Sequence, residues 1–99
     1  MNITKKLDGT TLEIAPEGRL DTMTAPELEA ELQQSLDSVE NLVMDLGKLE
    51  YISSAGLRVL LSAHKMMSGK GSMKVTNVNE IVQEVFDVTG FTEILTIEA

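Results

Sequence analysis

Leu46-Gly47-Lys48-Leu49-Glu50-Tyr51-Ile52-Ser53-Ser54-Ala55-Gly56-Leu57-Arg58-Val59-Leu60-Leu61 is the stretch whose reading decides the fold. It begins where a compact apolar run, Asn41-Leu42-Val43-Met44-Asp45-Leu46, reads as a strand covered on at least one face. Gly47 and Lys48 end that strand. Leu49 to Ile52 leads on to Ser53 and Ser54, and a helix follows from about Ala55 to Met67. Arg58, Ser62 and Lys65 are its only polar stripe, so the helix is expected to be mostly buried. A strand followed at once by a buried helix is the unit from which α/β sheets are built.

Towards the N-terminus, Ile3 to Leu7 and Thr11 to Ala15 are short β-compatible runs separated by Asp8-Gly9, a pair that favours a tight hairpin turn. Glu17-Gly18-Arg19-Leu20 reads as a second turn and a short strand. Asp21 to Thr24 supplies capping chemistry, and Pro26 stands just inside a helix start. Leu28, Leu32 and Leu36 recur four apart on one face of that helix, which is expected to end near Ser38.

Towards the C-terminus, Ser68-Gly69-Lys70-Gly71 terminates the buried helix and Met73 to Asn77 reads as a strand. Asn79 to Thr89 forms a third helix, presenting Ile81, Val82, Val85 and Phe86 together and capped by Gly90. Thr92 to Glu98 fits either a last short strand or an ordered tail. The order predicts a mixed β-sheet covered by α-helices, an α/β fold forming one domain over residues 1–99.

A chain of 99 residues, 42% apolar and 24% charged, has room for one core without staples. Cysteine is absent, which removes disulfides and thiolate chemistry. Met1 to Asp8 carries no apolar leader, and no later run nears the roughly 20 apolar residues of a membrane helix, so a cytoplasmic protein with no membrane contact is expected. Asn2-Ile3-Thr4 matches a glycosylation sequon, which carries no weight in an unexported chain. Sixteen acidic residues against eight basic ones give a formal charge of −8, which repels phosphate backbones and argues against direct nucleic-acid binding.

Three constellations invite an enzymatic reading and fall short of one. Ser54-Ala55-Gly56 matches half of the nucleophile elbow G-x-S-x-G, but Ile52 stands where its first glycine belongs. The only histidine, His64, lies ten residues further along the same helix, roughly 15 Å away at 1.5 Å per residue, too far to serve Ser54 as a base. Gly69-Lys70-Gly71-Ser72 has the residues of a phosphate loop, yet it follows a helix, precedes a strand, and has His64 at the place of the motif's first glycine. Carboxylates are scattered with no His or Cys cluster, so neither a metal nor a cofactor is expected. The six methionines read as core filling.

The Ser53-Ser54 pair remains. Serine is a preferred N-cap, so the pair has a purely structural explanation. The same position suits a phosphate, whose roughly −1.5 to −2 charges would meet free amide donors and the positive end of the helix dipole.

The stretch Leu46 to Leu61, with Asp45 before it, resembles the signature of the STAS domain of bacterial anti-sigma factor antagonists. Gly18-Arg19-Leu20-Asp21 with Thr24-Ala25-Pro26-Glu27-Leu28 is similar to the family's segment before its first helix, and Asn77 to Phe91 to its C-terminal helix and turn. The resemblance implies that Ser54, two residues before the glycine, is phosphorylated by an anti-sigma factor that is itself a serine kinase. It also implies that a serine phosphatase reverses the step, and that Asp21, Ser53, Ser54, Ala55, Gly56 and Arg58 form the partner-binding site. Unphosphorylated, such a protein captures the kinase and frees a sigma factor; it is a substrate and not an enzyme. The same chemistry in other hands would control secretion, polysaccharide production or a second-messenger enzyme. Where the best-known members carry aspartate before the acceptor and serine or threonine after it, this chain has Ser53 and Ala55.

Overall fold

Gly9 opens a two-residue hairpin loop with φ at +63°, the left-handed region that such turns demand. It joins β1 (Asn2–Asp8) to β2 (Thr11–Leu20), paired antiparallel from Asn2↔Glu17 to Asp8↔Thr11. The computed structural model describes residues 1–98. The order continues α1 (Ala25–Ser35), β3 (Asn41–Asp45), β4 (Leu49–Ile52), α2 (Ser54–Ser68), β5 (Ser72–Thr76), α3 (Glu80–Thr89), α4 (Phe91–Ile94) and β6 (Ile97–Glu98). The expected mixed sheet is present: its order is β1-β2-β3-β5-β6, with β4 beside β2, and every pairing after the hairpin is parallel.

Two differences from the sequence reading shape the site. No turn separates Ala15 from Leu20, because Gly18 takes φ +92° and the register shifts between Gly18 and Arg19, so β2 bulges instead of ending. The bulge lets one strand serve two neighbours: Thr11–Ile14 pairs with β3, and Gly18–Leu20 with β4. β4 is the second difference, a four-residue strand whose existence depends on that late part of β2.

Along the central strands Leu12, Ile14, Leu42, Met44, Met73 and Val75 are buried at alternate positions and join Leu28, Leu32, Leu60, Ala63, Met67, Val82 and Phe86 in one core. Helix α1 stops at Ser35 rather than Ser38, with Leu36 as its C-cap. The Gly69–Gly71 stretch is the turn expected of it: the Lys70 and Gly71 amides both donate to the Met67 carbonyl, and the Lys70 ammonium donates to the Leu36 carbonyl. Helix α3 is capped by Asn79, whose Oδ1 accepts from the Val82 amide at 2.8 Å and whose Nδ2 donates to the Leu49 carbonyl at 2.6 Å. Gly90, at φ +82°, ends it. Ile81 does not join Val82 and Phe86 in the core; it is 59% exposed, because the buried stripe of α3 is narrower than its apolar content. Thr92 to Glu98 divides between α4 and β6. No helix of the described residues is long and apolar enough to cross a membrane.

Candidate functional site

Leu20 and Ile52 are register partners at the C-terminal ends of the parallel strands β2 and β4. The chain therefore leaves the sheet at two adjacent points, once into the turn before α1 and once into the start of α2. The Ser53 amide donates to the Leu20 carbonyl at 2.9 Å, extending the pairing by one residue and joining the two exits.

The first exit is held by Asp21 and Thr24. Asp21 Oδ1 accepts from the amides of Met23 at 3.0 Å and Thr24 at 3.2 Å, while Thr24 Oγ1 accepts from the Asp21 amide at 2.9 Å and donates to the Arg19 carbonyl at 2.7 Å. Asp21 also stands 4.0 Å from the Arg19 guanidinium, which lies 4.5 Å above the Tyr51 ring across the strand pair. The Asp21 carboxylate is thus occupied in shaping the turn. That turn lifts Met23 into solvent, 83% exposed.

At the second exit Ser53, not Ser54, is the N-cap of α2, with extended backbone (φ −98°, ψ 179°) and its carbonyl accepting from the Leu57 amide at 2.9 Å. Its hydroxyl caps nothing: Ser53 Oγ is shielded from solvent and makes no hydrogen bond among the described residues. Ser54 is the first helical residue and is exposed. The amides of Ser54, Ala55 and Gly56 precede the point where intrahelical bonding begins, so the positive end of the α2 dipole lies beside the Ser54 hydroxyl.

The six residues expected to meet a partner divide by orientation. Ser54 and Arg58 are exposed, Ala55 and Ser53 half-buried, and Asp21 partly buried in its turn. Gly56 is buried. A Cβ there would lie 2.7 Å from Ile52 Cγ1 and 2.8 Å from Leu20 Cγ, so the glycine lets α2 settle onto the ends of β2 and β4. The structure adds residues the sequence reading passed over. Thr22, Pro26 and Glu29 on the α1 side face Ala55, Arg58 and Ser62 of α2 across a shallow cleft. Met23 carried the one visible signal, an apolar side chain in an otherwise polar turn. His64 is half-buried in the same helix, well beyond Ser54.

Comparison with known proteins agrees with this geometry. The STAS domain family model matches residues 2–99, and the chain belongs to that family. BtrV of Bordetella bronchiseptica, provisionally named an anti-sigma factor antagonist, is 41% identical over 91 residues, covering 90% of this chain and 78% of BtrV. The anti-sigma-B factor antagonist of Bacillus subtilis is 29% identical over 100 residues, covering all of this chain and 92% of that protein. Among solved structures, unphosphorylated SpoIIAA, an anti-sigma factor antagonist, has a TM-score of 0.85 at 17% identity, over 99% of this chain and 89% of SpoIIAA. The phosphorylated form of the Bacillus cell fate determinant SpoIIAA has a TM-score of 0.77 at 16% identity, over 99% and 92%. At these identities the structural likeness speaks for the fold, while the sequence relatives place the chain among the anti-sigma factor antagonists.

Proposed function

We propose that this protein binds an anti-sigma factor that is a serine kinase, and that phosphorylation of Ser54 by that kinase breaks the complex. Unphosphorylated, it occupies the kinase and leaves the sigma factor free. Transfer of the ATP γ-phosphoryl group to Ser54 Oγ, with loss of the hydroxyl proton and departure of ADP, ends the interaction. A serine phosphatase hydrolyses the ester and restores it. The protein acts as substrate and switch in the cytoplasm, where kinase and ATP meet.

The observation that carries this reading is the difference between the two hydroxyls. Ser54 Oγ belongs to an exposed residue at the first position of α2, whereas Ser53 Oγ is shielded and unpartnered. A kinase must bring a hydroxyl in line with a γ-phosphate, which favours the exposed residue. In the free protein the added phosphate stays solvated beside free amides, so no refolding is required. Against a partner surface the same phosphate costs desolvation and repulsion unless cations meet it. A hundred-fold loss of affinity requires only about 2.7 kcal/mol, within reach of one such group.

Incubation with the cognate kinase and ATP, followed by peptide mass spectrometry, tests the assignment. One phosphate on Ser54 is expected; modification of Ser53 with Ser54 untouched would overturn it.

A further inference from the structure

We propose that Arg58 is the intramolecular partner of phosphorylated Ser54, folding back along α2 to clamp the phosphate and leaving the partner-facing surface as it does so. The inference rests on Ser54 as the acceptor and concerns what the modified protein does next.

Ser54 and Arg58 are four residues apart in one continuous helix and both are exposed. That spacing puts their Cβ atoms about 5–6 Å apart on one face. Helical side chains lean towards the N-terminus, so a long residue at position 58 covers the turn that starts at Ser54. The order is also the favourable one, with the anion nearer the N-terminus and the cation one turn on.

Arg58 is uncommitted. Among the described residues it has no ion-pair partner within 4.0 Å, whereas Arg19 is held by Tyr51 and Asp21, Lys5 by Glu31, and Lys74 by Glu98. Glu29 on α1 is the other charged residue that lines the cleft beside Arg58. On a chain of net charge −8, Arg58 is the cation one turn away from a phosphate on Ser54. A guanidinium fork matches two phosphate oxygens with two parallel N–H bonds, which an ammonium cannot do. Clamping removes a cation from the surface in the same event that adds an anion, so one modification changes two groups that a partner would meet.

The test uses protein carrying phosphoserine at position 54, made by chemical synthesis or by genetic encoding, so that no kinase is needed. Phosphorus NMR follows the second ionisation of the phosphate in the otherwise unchanged chain and in Arg58→Gln, Arg58→Lys and Lys65→Gln, with circular dichroism confirming the fold of each. Arg58→Gln should raise that pKa by about 0.3 of a unit, roughly a two-fold change in proton affinity, with Arg58→Lys recovering part of the difference. Lys65→Gln, which removes a cation further along the helix, should leave it unchanged. Identical titrations with and without Arg58, or equal shifts from Arg58→Gln and Lys65→Gln, would overturn the clamp. Failure of the kinase to modify Ser54 would instead sink the underlying reading without altering this titration, so the two failures are told apart.

Discussion

The backbone amide of Ser53 donates to the carbonyl of Leu20 at 2.9 Å, and through this one bond the start of α2 is fixed to the end of β2. Leu20 acts a second time through its side chain, which lies under Gly56 with that of Ile52. The position of Ser54 is therefore set from both sides: by a strand-like hydrogen bond just before it and by close packing two residues after it.

Gly56→Ala tests the packing half of that arrangement. The added methyl would stand 2.7 Å from Ile52 and 2.8 Å from Leu20, inside the core, where nothing can move aside cheaply. Overpacking of this kind costs about 1–3 kcal/mol, more than the roughly 0.5–1 kcal/mol an alanine gains over glycine within a helix. The melting temperature should fall by several degrees, on the scale of about 4–8 °C per kcal/mol for a domain this size. An unchanged or raised melting temperature would show that α2 does not depend on this contact.

Gly69 and Gly71 make a matched pair two residues apart. A Cβ at Gly69 meets nothing within 4 Å, whereas one at Gly71 would fall 1.8 Å from the Glu40 carbonyl oxygen, a backbone atom that shifts only with the α1–β3 connection. Gly69→Ala should be neutral or stabilising by up to about 1 kcal/mol, and Gly71→Ala should cost about 3 kcal/mol. Urea denaturation of the two variants measures both; equal midpoints would refute the close approach.

These glycines also mark what could be read from the sequence. The Gly9 turn and the Gly90 stop were legible because each is decided by chemistry within a few residues. The bulge at Gly18 and the strand β4 were not, since both exist only through pairing between segments some thirty residues apart. The serine pair was legible as a helix start. Which hydroxyl faces solvent depends on the direction of each side chain, and the inward-facing role of Gly56 depends on where Leu20 and Ile52 lie. Neither can be inferred from spacing. Ile81 shows the same limit, because helical periodicity locates an apolar face without saying how much of it the sheet will cover.

Asp87 gives a pH-dependent check on the α3–α4 corner. Thr92 Oγ1 donates to Asp87 Oδ1 at 2.6 Å and Gln83 Nε2 at 3.0 Å, and these two bonds, Thr92's foremost, hold the carboxyl below its ordinary value of 3.8. A carboxyl depressed by folding contributes stability that is present above its unfolded pKa and lost as the pH falls through the folded one. Thr92→Val should move Asp87 back towards 3.8, and the stability difference between the two proteins should fade as acid protonates the carboxyl. Carbon NMR of the Asp87 carboxyl reads the shift; coincident titration curves would remove Thr92 from the account.

Calorimetric titration of the anti-sigma serine kinase, captured with the unphosphorylated protein, tests the central claim most directly. Ser54→Ala and protein carrying phosphoserine at position 54 are the two forms to compare. Both should fold, because Ser54 occupies the first helical position, where alanine costs little and a phosphate suits the dipole. The account predicts tight binding by Ser54→Ala in the presence of ATP and at least ten-fold weaker binding by the phosphorylated form, a difference of about 1.4 kcal/mol or more. Equal dissociation constants for the two folded forms would contradict it, because charge at position 54 would then not control the complex.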